Sequence, residues 1–227
     1  MIESLHKVNK PDSLAKIAYG ALRHSILSFN LQQETVYNEM SVSQELGLSR
    51  TPVREALLRL SSEGLVTFLP RKGFIVTSYT QNEIEEVFEL RLILESVVIR
   101  KIAAKISQDN IDKLREYIVL QQRAASEDDY HGFMLSDRAF HKTFFELAGN
   151  SKLIEIMNNF QDICHMAGMC YLKIDGLYGR SIHDHQEILK SLEKRDADKA
   201  EAAITNHINQ VKAAVIKTIN SESESRK

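Results

Sequence analysis

Two periodicities divide this chain. Val53, Ala56, Leu57 and Leu60 recur at i, i+3, i+4 and i+7, which predicts a helix with one buried stripe. Arg50, Thr51, Arg54 and Glu55 fall off that stripe, so its polar face leads at the N-terminal end. Thr51 or Ser49 caps it, and Pro52 suits the first helical turn, where a missing N–H costs nothing. Just upstream, Ser41 and Gln44 have capping-box spacing and Gly47 supplies a stop. Two short helices around a Gly-containing turn make a helix-turn-helix. Residues 65–69 and 74–78 are rich in β-branched and aromatic side chains. They predict two strands joined by the basic tip Pro70-Arg71-Lys72-Gly73, a β-wing.

After Ser78-Tyr79-Thr80 the pattern changes. Strand-like alternation disappears, proline is absent, and glycine occurs only at 132, 149, 168, 176 and 179. Helices are expected near 81–105, 108–126, 128–148, 151–174, 177–194 and 196–219, the first in one piece or two. Gly149-Asn150 and Asp175-Gly176 are helix stops, and 221–227 is a polar, frayed tail. The fold class is mainly α, with domains over 1–78 and 79–227. A length of 227 residues with 43% hydrophobic content is enough for both.

Charge adds little to this picture. Residues 1–78 carry 9 Lys+Arg against 7 Asp+Glu, and the remainder carries 20 against 24. So slight an excess predicts modest non-specific affinity for nucleic acid and dependence on a matched site, held through two half-sites by a homodimer. No run approaches about 18 apolar residues and the start lacks a signal-peptide core, so no membrane association and a cytoplasmic location are expected. Cys164 and Cys170 have neither metal-site nor disulfide spacing and read as two buried free thiols.

The helix and wing have a chemistry in common. Arginines opening a recognition helix reach base edges in the major groove, while wing cations neutralise phosphates. On spacing alone, an amphipathic helix packed on a hairpin with solvated arginines remains an alternative. The run Leu-Ser-Arg-Thr-Pro-Val-Arg-Glu-Ala-Leu (residues 48–57), then Glu-Gly-Leu-Val (63–66) and Pro-Arg-Lys-Gly-Phe-Ile-Val (70–76), resembles the winged-helix domain of GntR-family transcriptional regulators over roughly residues 10–78. The resemblance implies a double-stranded, pseudo-palindromic DNA operator as partner. It puts Arg50 and Arg54 at base- and phosphate-contacting positions, with Thr51 nearby, Arg71 and Lys72 on the wing and Gly73 at its tip. Met40 stands where at least one relative has a DNA-contacting arginine, a departure from that pattern, so Met40 is not counted among the expected contacts.

Ionisable groups on inward stripes of the helical part need a partner or a purpose. Asp137 shares a face with His141, Phe144 and Ala148. His185 lies on the stripe of Ile182, Ile188, Leu189 and Leu192, and His207 on that of Ala200, Ala203, Ile204, Ile208 and Val211. Imidazoles plus a carboxylate on facing helices suit borderline-soft divalent metals such as Zn²⁺ or Ni²⁺; each histidine singly also reads as a satisfied core or surface group. Arg91 interrupts the stripe of Ile84, Val87, Phe88, Leu94 and Val98. It suits either a bound carboxylate or an ion pair with Glu95 or Asp137.

Asp137-x3-His141 followed by Ala148-Gly149-Asn150, with His185 and His207 beyond, resembles the FCD ligand-binding domain of the FadR subgroup over residues 79–220. That resemblance implies an antiparallel α-helical bundle in which Asp137, His141, His185 and His207 bind a divalent metal, Zn or Ni, facing a cavity. Arg91 then belongs to the effector pocket, and a full ligand set implies a small organic acid. The expected function is therefore a metabolite-responsive, DNA-binding transcriptional regulator. The alternatives are a metal-dependent enzyme, or a regulator whose metal is purely structural.

Overall fold

The computed structural model describes residues 13–172 and 177–225; for 159, 167–172, 177 and 221–225 it describes the backbone alone. The expected stop at Asp175-Gly176 and the Cys170 side chain lie outside the described parts. The chain divides into two compact units at the Ser78–Tyr79 peptide.

In the first unit, α1 (Leu14–Leu27) is capped by the Ser13 side chain, which accepts from the Lys16 N–H. It buries Ala18, Leu22 and Ile26, a stripe at four-residue spacing, and packs on α3. The helix-turn-helix follows as α2 (Glu39–Glu45) and α3 (Arg50–Ser62). The expected cap at Ser41 is corrected. Asn38 caps α2 by accepting from the Met40 N–H, and the Ser43 hydroxyl turns inward to the Glu39 carbonyl. For α3, Ser49 is the cap residue and Pro52 sits buried in the first turn, as its missing N–H permits. Val53, Ala56, Leu57 and Leu60 are all essentially buried, as their spacing requires.

The wing consists of β2 (Val66–Leu69) and β3 (Gly73–Val76), antiparallel, with Val66 opposite Val76 and Leu69 opposite Gly73. A third strand, β1 (Val36–Tyr37), pairs with β3 and makes it central, an element too short to show periodicity. β1 also explains Gly73. Its φ is +127°, and a Cβ there would lie 2.0 Å from the Tyr37 carbonyl oxygen, so only glycine admits this approach.

The second unit is helical throughout its described residues: α4 (Gln81–Ala103), α5 (Gln108–Ser126), α6 (Tyr130–Ala148), α7 (Ser151–Leu172), α8 (Leu177–Glu193) and α9 (Ala197–Ser225). Thr80 and Glu83 form a reciprocal capping box that starts α4, and α4 runs unbroken. Gly149, at φ +71°, ends α6. The polar segment 221–225 continues α9 instead of fraying, so the helix is longer than its apolar stripe. α4 packs on α9 and α6, and α5 on α6 and α8. Phe88, Phe133, Phe140, Phe144, Phe145, Ile188, Leu192 and Ile204 fill the core between them. No described helix is long and apolar enough to cross a membrane.

Candidate nucleic-acid interface and metal centre

The first unit carries its cations outside. Arg50, at the opening of α3, and Arg71 and Lys72, at the hairpin tip, are exposed and line one concavity with Arg54, Gly73, Asn38, Glu39 and Phe68. Thr51 is exposed in the same first turn of α3. Arg54, one turn on, is gripped by the Glu39 carboxylate at 2.7 and 2.8 Å, with its guanidinium 5.8 Å from the Phe68 ring centre. Glu39 on α2 thus aims an arginine of α3, a role that spacing alone did not reveal. Ser49 makes no side-chain cap bond, so the first-turn amides of α3 lack that partner. The surface therefore combines a helix N-terminus with four cations from two elements, an arrangement suited to phosphates and base edges.

The second unit hides its chemistry. Asp137 and His141 of α6, His185 of α8 and His207 of α9 each present one ligand atom, and these four atoms lie within 4.8 Å of one another. Asp137 Oδ1 is 3.6 Å from His185 Nε2 and 3.9 Å from His141 Nε2; the Nε2 atoms of His185 and His207 are 3.3 Å apart. Each ring is held from behind at Nδ1. Glu95 Oε2 lies 2.6 Å from His141, Gln121 Oε1 2.8 Å from His185, and Asp184 Oδ2 3.3 Å from His207. With Nδ1–H donating to these acceptors, all three Nε2 lone pairs point to a common centre, the tautomer that metal binding requires.

Burial lowers the pKa of His185 well below 6.5, and repulsion from His207 and His141 once they are protonated, and from Arg91, acts in the same direction. Burial also lowers that of His207, against the pull of Asp184. Both imidazoles are therefore neutral at neutral pH and retain a lone pair to donate. His141 Nε2 is buried without a hydrogen-bond partner among the described residues, a costly state for a polar atom unless something occupies the centre. On this donor chemistry the four residues fit a divalent metal.

Periodicity did not single out Glu95, Gln121 and Asp184 as the partners of these rings; only Glu95 had been weighed, as a partner for Arg91. That ion pair forms, with Arg91 Nε 2.8 Å from Glu95 Oε1 in the buried interior. Burial opposes the charge on Glu95, yet His141 and Arg91 hold its pKa down at about 2. Burial likewise works against Arg91, and Glu95 more than offsets it, so its pKa is raised. Arg91 keeps its place beside the cluster too. It lines a cavity of about 50 Å³ with Asp137, His207, Phe88, Arg138 and Gln161, several times the roughly 10–15 Å³ one water needs. Arg91 Nε meets Glu95, and the guanidinium also interacts with the Cys164 thiol. Cys164 also lines the cavity as a free thiol whose pKa burial pushes up.

Residues 14–76 match the family described as bacterial regulatory proteins, gntR family, and residues 86–210 match the FCD domain. Among similar proteins is an HTH-type transcriptional regulator from the TAR-I ttuE-ttuC' intergenic region of Agrobacterium vitis. It is 32% identical over 58% of this chain and 78% of that protein. The HTH-type transcriptional repressor RspR of Escherichia coli (strain K12) is 24% identical over 92% of each chain. Among solved structures, McbR/YncC of Escherichia coli has the same fold, with a TM-score of 0.81 at 19% identity, covering 92% of this chain and all of that one.

Proposed function

The chain belongs to the gntR family of bacterial regulatory proteins and carries an FCD domain, so it is a transcriptional regulator; on that premise we propose that it senses a small carboxylate through a metal-centred pocket in its helical unit. The observation that carries this reading is the convergence of Asp137, His141, His185 and His207 on one point beside a cavity that Arg91 also lines. A divalent ion there, Zn²⁺ or Ni²⁺, would supply a Lewis-acidic contact for a carboxylate oxygen. Arg91 would take the other end of the acid through its guanidinium fork.

In this reading residues 1–78 bind a pseudo-palindromic operator. Arg50, Thr51 and Arg54 face the major groove, and Arg71 and Lys72 reach flanking phosphates, with Gly73 setting the hairpin's approach. A homodimer would present two such units. Leu90, Ile93 and Val97, exposed at i, i+3 and i+7 on α4, favour one. The effector then acts by binding DNA-competent and incompetent arrangements with different affinity, and the protein works in the cytoplasm.

The test begins with purified, metal-analysed protein incubated with fragmented genomic DNA at near-physiological salt. Enrichment of a few palindromic sites is expected, and retention without sequence preference would reject the operator assignment. Acids from the pathway so identified should change operator occupancy, and Arg91→Ala should abolish that response while sparing DNA binding. If chelation lowers thermal stability strongly and no acid alters occupancy, the metal is structural only.

A further inference from the structure

Two kinds of partner stand behind the three imidazoles. Glu95 backs His141 and Asp184 backs His207, and an ionised carboxylate only accepts, so each fixes its ring with the proton on Nδ1. Against the cost of burial, His141 and Arg91 keep Glu95 ionised, its pKa held at about 2. His185 is backed by Gln121 of α5, and an amide can offer either end, Oε1 to accept or Nε2 to donate. Gln121 is fully buried. Its Oε1 lies 2.8 Å from His185 Nδ1, while its Nε2 is buried without a hydrogen-bond partner among the described residues. Turning the amide over therefore gives up no bond except the one it re-forms to the ring.

The opposite edge of the ring supplies a reason to turn. His185 Nε2 is 3.3 Å from His207 Nε2 and 3.6 Å from Asp137 Oδ1. With its proton on Nδ1, His207 presents a lone pair there, and the Asp137 carboxylate is an acceptor as well. A bound ion gives all of these groups a common partner. When no ion is bound, a lone pair on the fully buried His185 Nε2 faces two acceptors, a cost that a proton at the same nitrogen removes.

We propose that Gln121 is a tautomer switch for the metal centre. In the metal-free protein its Nε2 donates to His185 Nδ1, and His185 Nε2–H donates to His207 Nε2. With an ion bound, Gln121 Oε1 accepts from His185 Nδ1–H and the Nε2 lone pair is free to ligate. This rests on the metal-centred reading and adds a residue that positions a ligand without touching the ion. One proton leaves one nitrogen of the His185 ring and one reaches the other, carried by water, so the net charge of the centre is unchanged by the exchange. The cavity lined by Asp137 and His207 has room for that water. His141 and His207 cannot follow, because the carboxylates behind them have no proton to donate. The centre is thereby hydrogen-bonded around His185 in both states, and the ion can leave and return without stranding that ring.

The experiment is nuclear magnetic resonance of the full-length protein, labelled with ¹⁵N at histidine and glutamine, at neutral pH, first metal-free and then loaded with Zn²⁺. The His185 signals are identified by their absence from His185→Ala. In the metal-free wild type the proton should sit on His185 Nε2, with a coupling across the hydrogen bond from Gln121 Nε2 to His185 Nδ1. Zn²⁺ should move the proton to Nδ1 and abolish that coupling. Gln121→Met, which keeps volume and removes both ends of the amide, should weaken Zn²⁺ binding about 10–100-fold in dye competition, the loss expected when a ligand loses the partner that fixes its tautomer. A His185 proton on Nδ1 in the metal-free protein overturns the switch and needs no variant to read. An Nε2 proton without the Gln121 coupling, or unchanged Zn²⁺ affinity in Gln121→Met, overturns the role of Gln121. If Zn²⁺ does not bind the wild type at all, the metal-centred reading falls and the switch with it.

Discussion

The two units place their chemistry oppositely. In the winged unit the candidate side chains are exposed, come from a helix start and one hairpin tip, and need little from the rest of the fold to be cationic. In the helical unit the candidate ligands come from three helices and are held by acceptors on α4, α5 and α8. The three histidines are at most 2% exposed, so their protonation and geometry are decided by neighbours distant in sequence. An exposed site tolerates substitution of its parts one at a time; a buried one is a network in which loss of one member leaves another unpaired.

The largest effect that would sharpen this contrast is expected from His185→Ala. Removing a fully buried ligand should weaken Zn²⁺ binding roughly 100-fold or more, beyond the loss typical of an outer partner. Dye competition would read it. Retention of near wild-type affinity would mean that the four residues do not act as one centre. Glu95→Gln comes next, with a loss of about 10–100-fold in metal affinity, because the acceptor behind His141 loses its charge. DNA binding by the metal-free protein should be unchanged in both variants, and a parallel loss there would break the separation of the two units.

On the exposed side, Arg54→Ala should cost about 1–3 kcal/mol of operator affinity and flatten its salt dependence. The melting temperature should hardly move, because a surface pair such as Arg54–Glu39 contributes at most about 1 kcal/mol. A substantial drop in melting temperature would show that the pair is structural. The smallest effect is a pH dependence confined to the buried side. The metal-free folded protein keeps His185 and His207 neutral, their pKa values lying below 6.5, whereas the unfolded chain takes up protons there as pH falls through 6.5. Stability should therefore be full above that pH and fall below it, by at most about 1.4 kcal/mol per pH unit for each histidine. Glu95, with a folded pKa of about 2 against an ordinary 4.5, adds a further loss below pH 4.5. Thermal melts of metal-free wild type between pH 7.5 and 5.5, beside His185→Ala, would test the histidine share.

How much of this could be read from the chain follows the same division. The stripe through Val53 and Leu60 placed α3 because helix periodicity is local, and the basic tip placed the wing for the same reason. The cap of α2 was misplaced to Ser41 because Asn38, the residue that accepts from Met40, precedes any apolar pattern. β1 escaped because two residues carry no period, although Gly73 held a trace of it in the backbone approach that only glycine permits. In the helical unit the inward stripes identified Asp137, His141, His185 and His207, since an ionisable residue among apolar ones marks itself. The partners Gln121 and Asp184 left no such mark: neither interrupts a stripe that had been singled out, and each matters only through a ring on another helix.

By itself, then, the amino-acid order determined which segments are helix or strand, which faces turn inward, and which side chains are chemically equipped for DNA or metal. Those properties depend on neighbours within a turn or two. The tertiary structure alone decided that Glu95 stands between Arg91 and His141, that Glu39 aims Arg54, and that three Nε2 atoms share a centre. Each of these is a relation between elements, set by how helices pack and where burial removes water, and local periodicity carries no record of it.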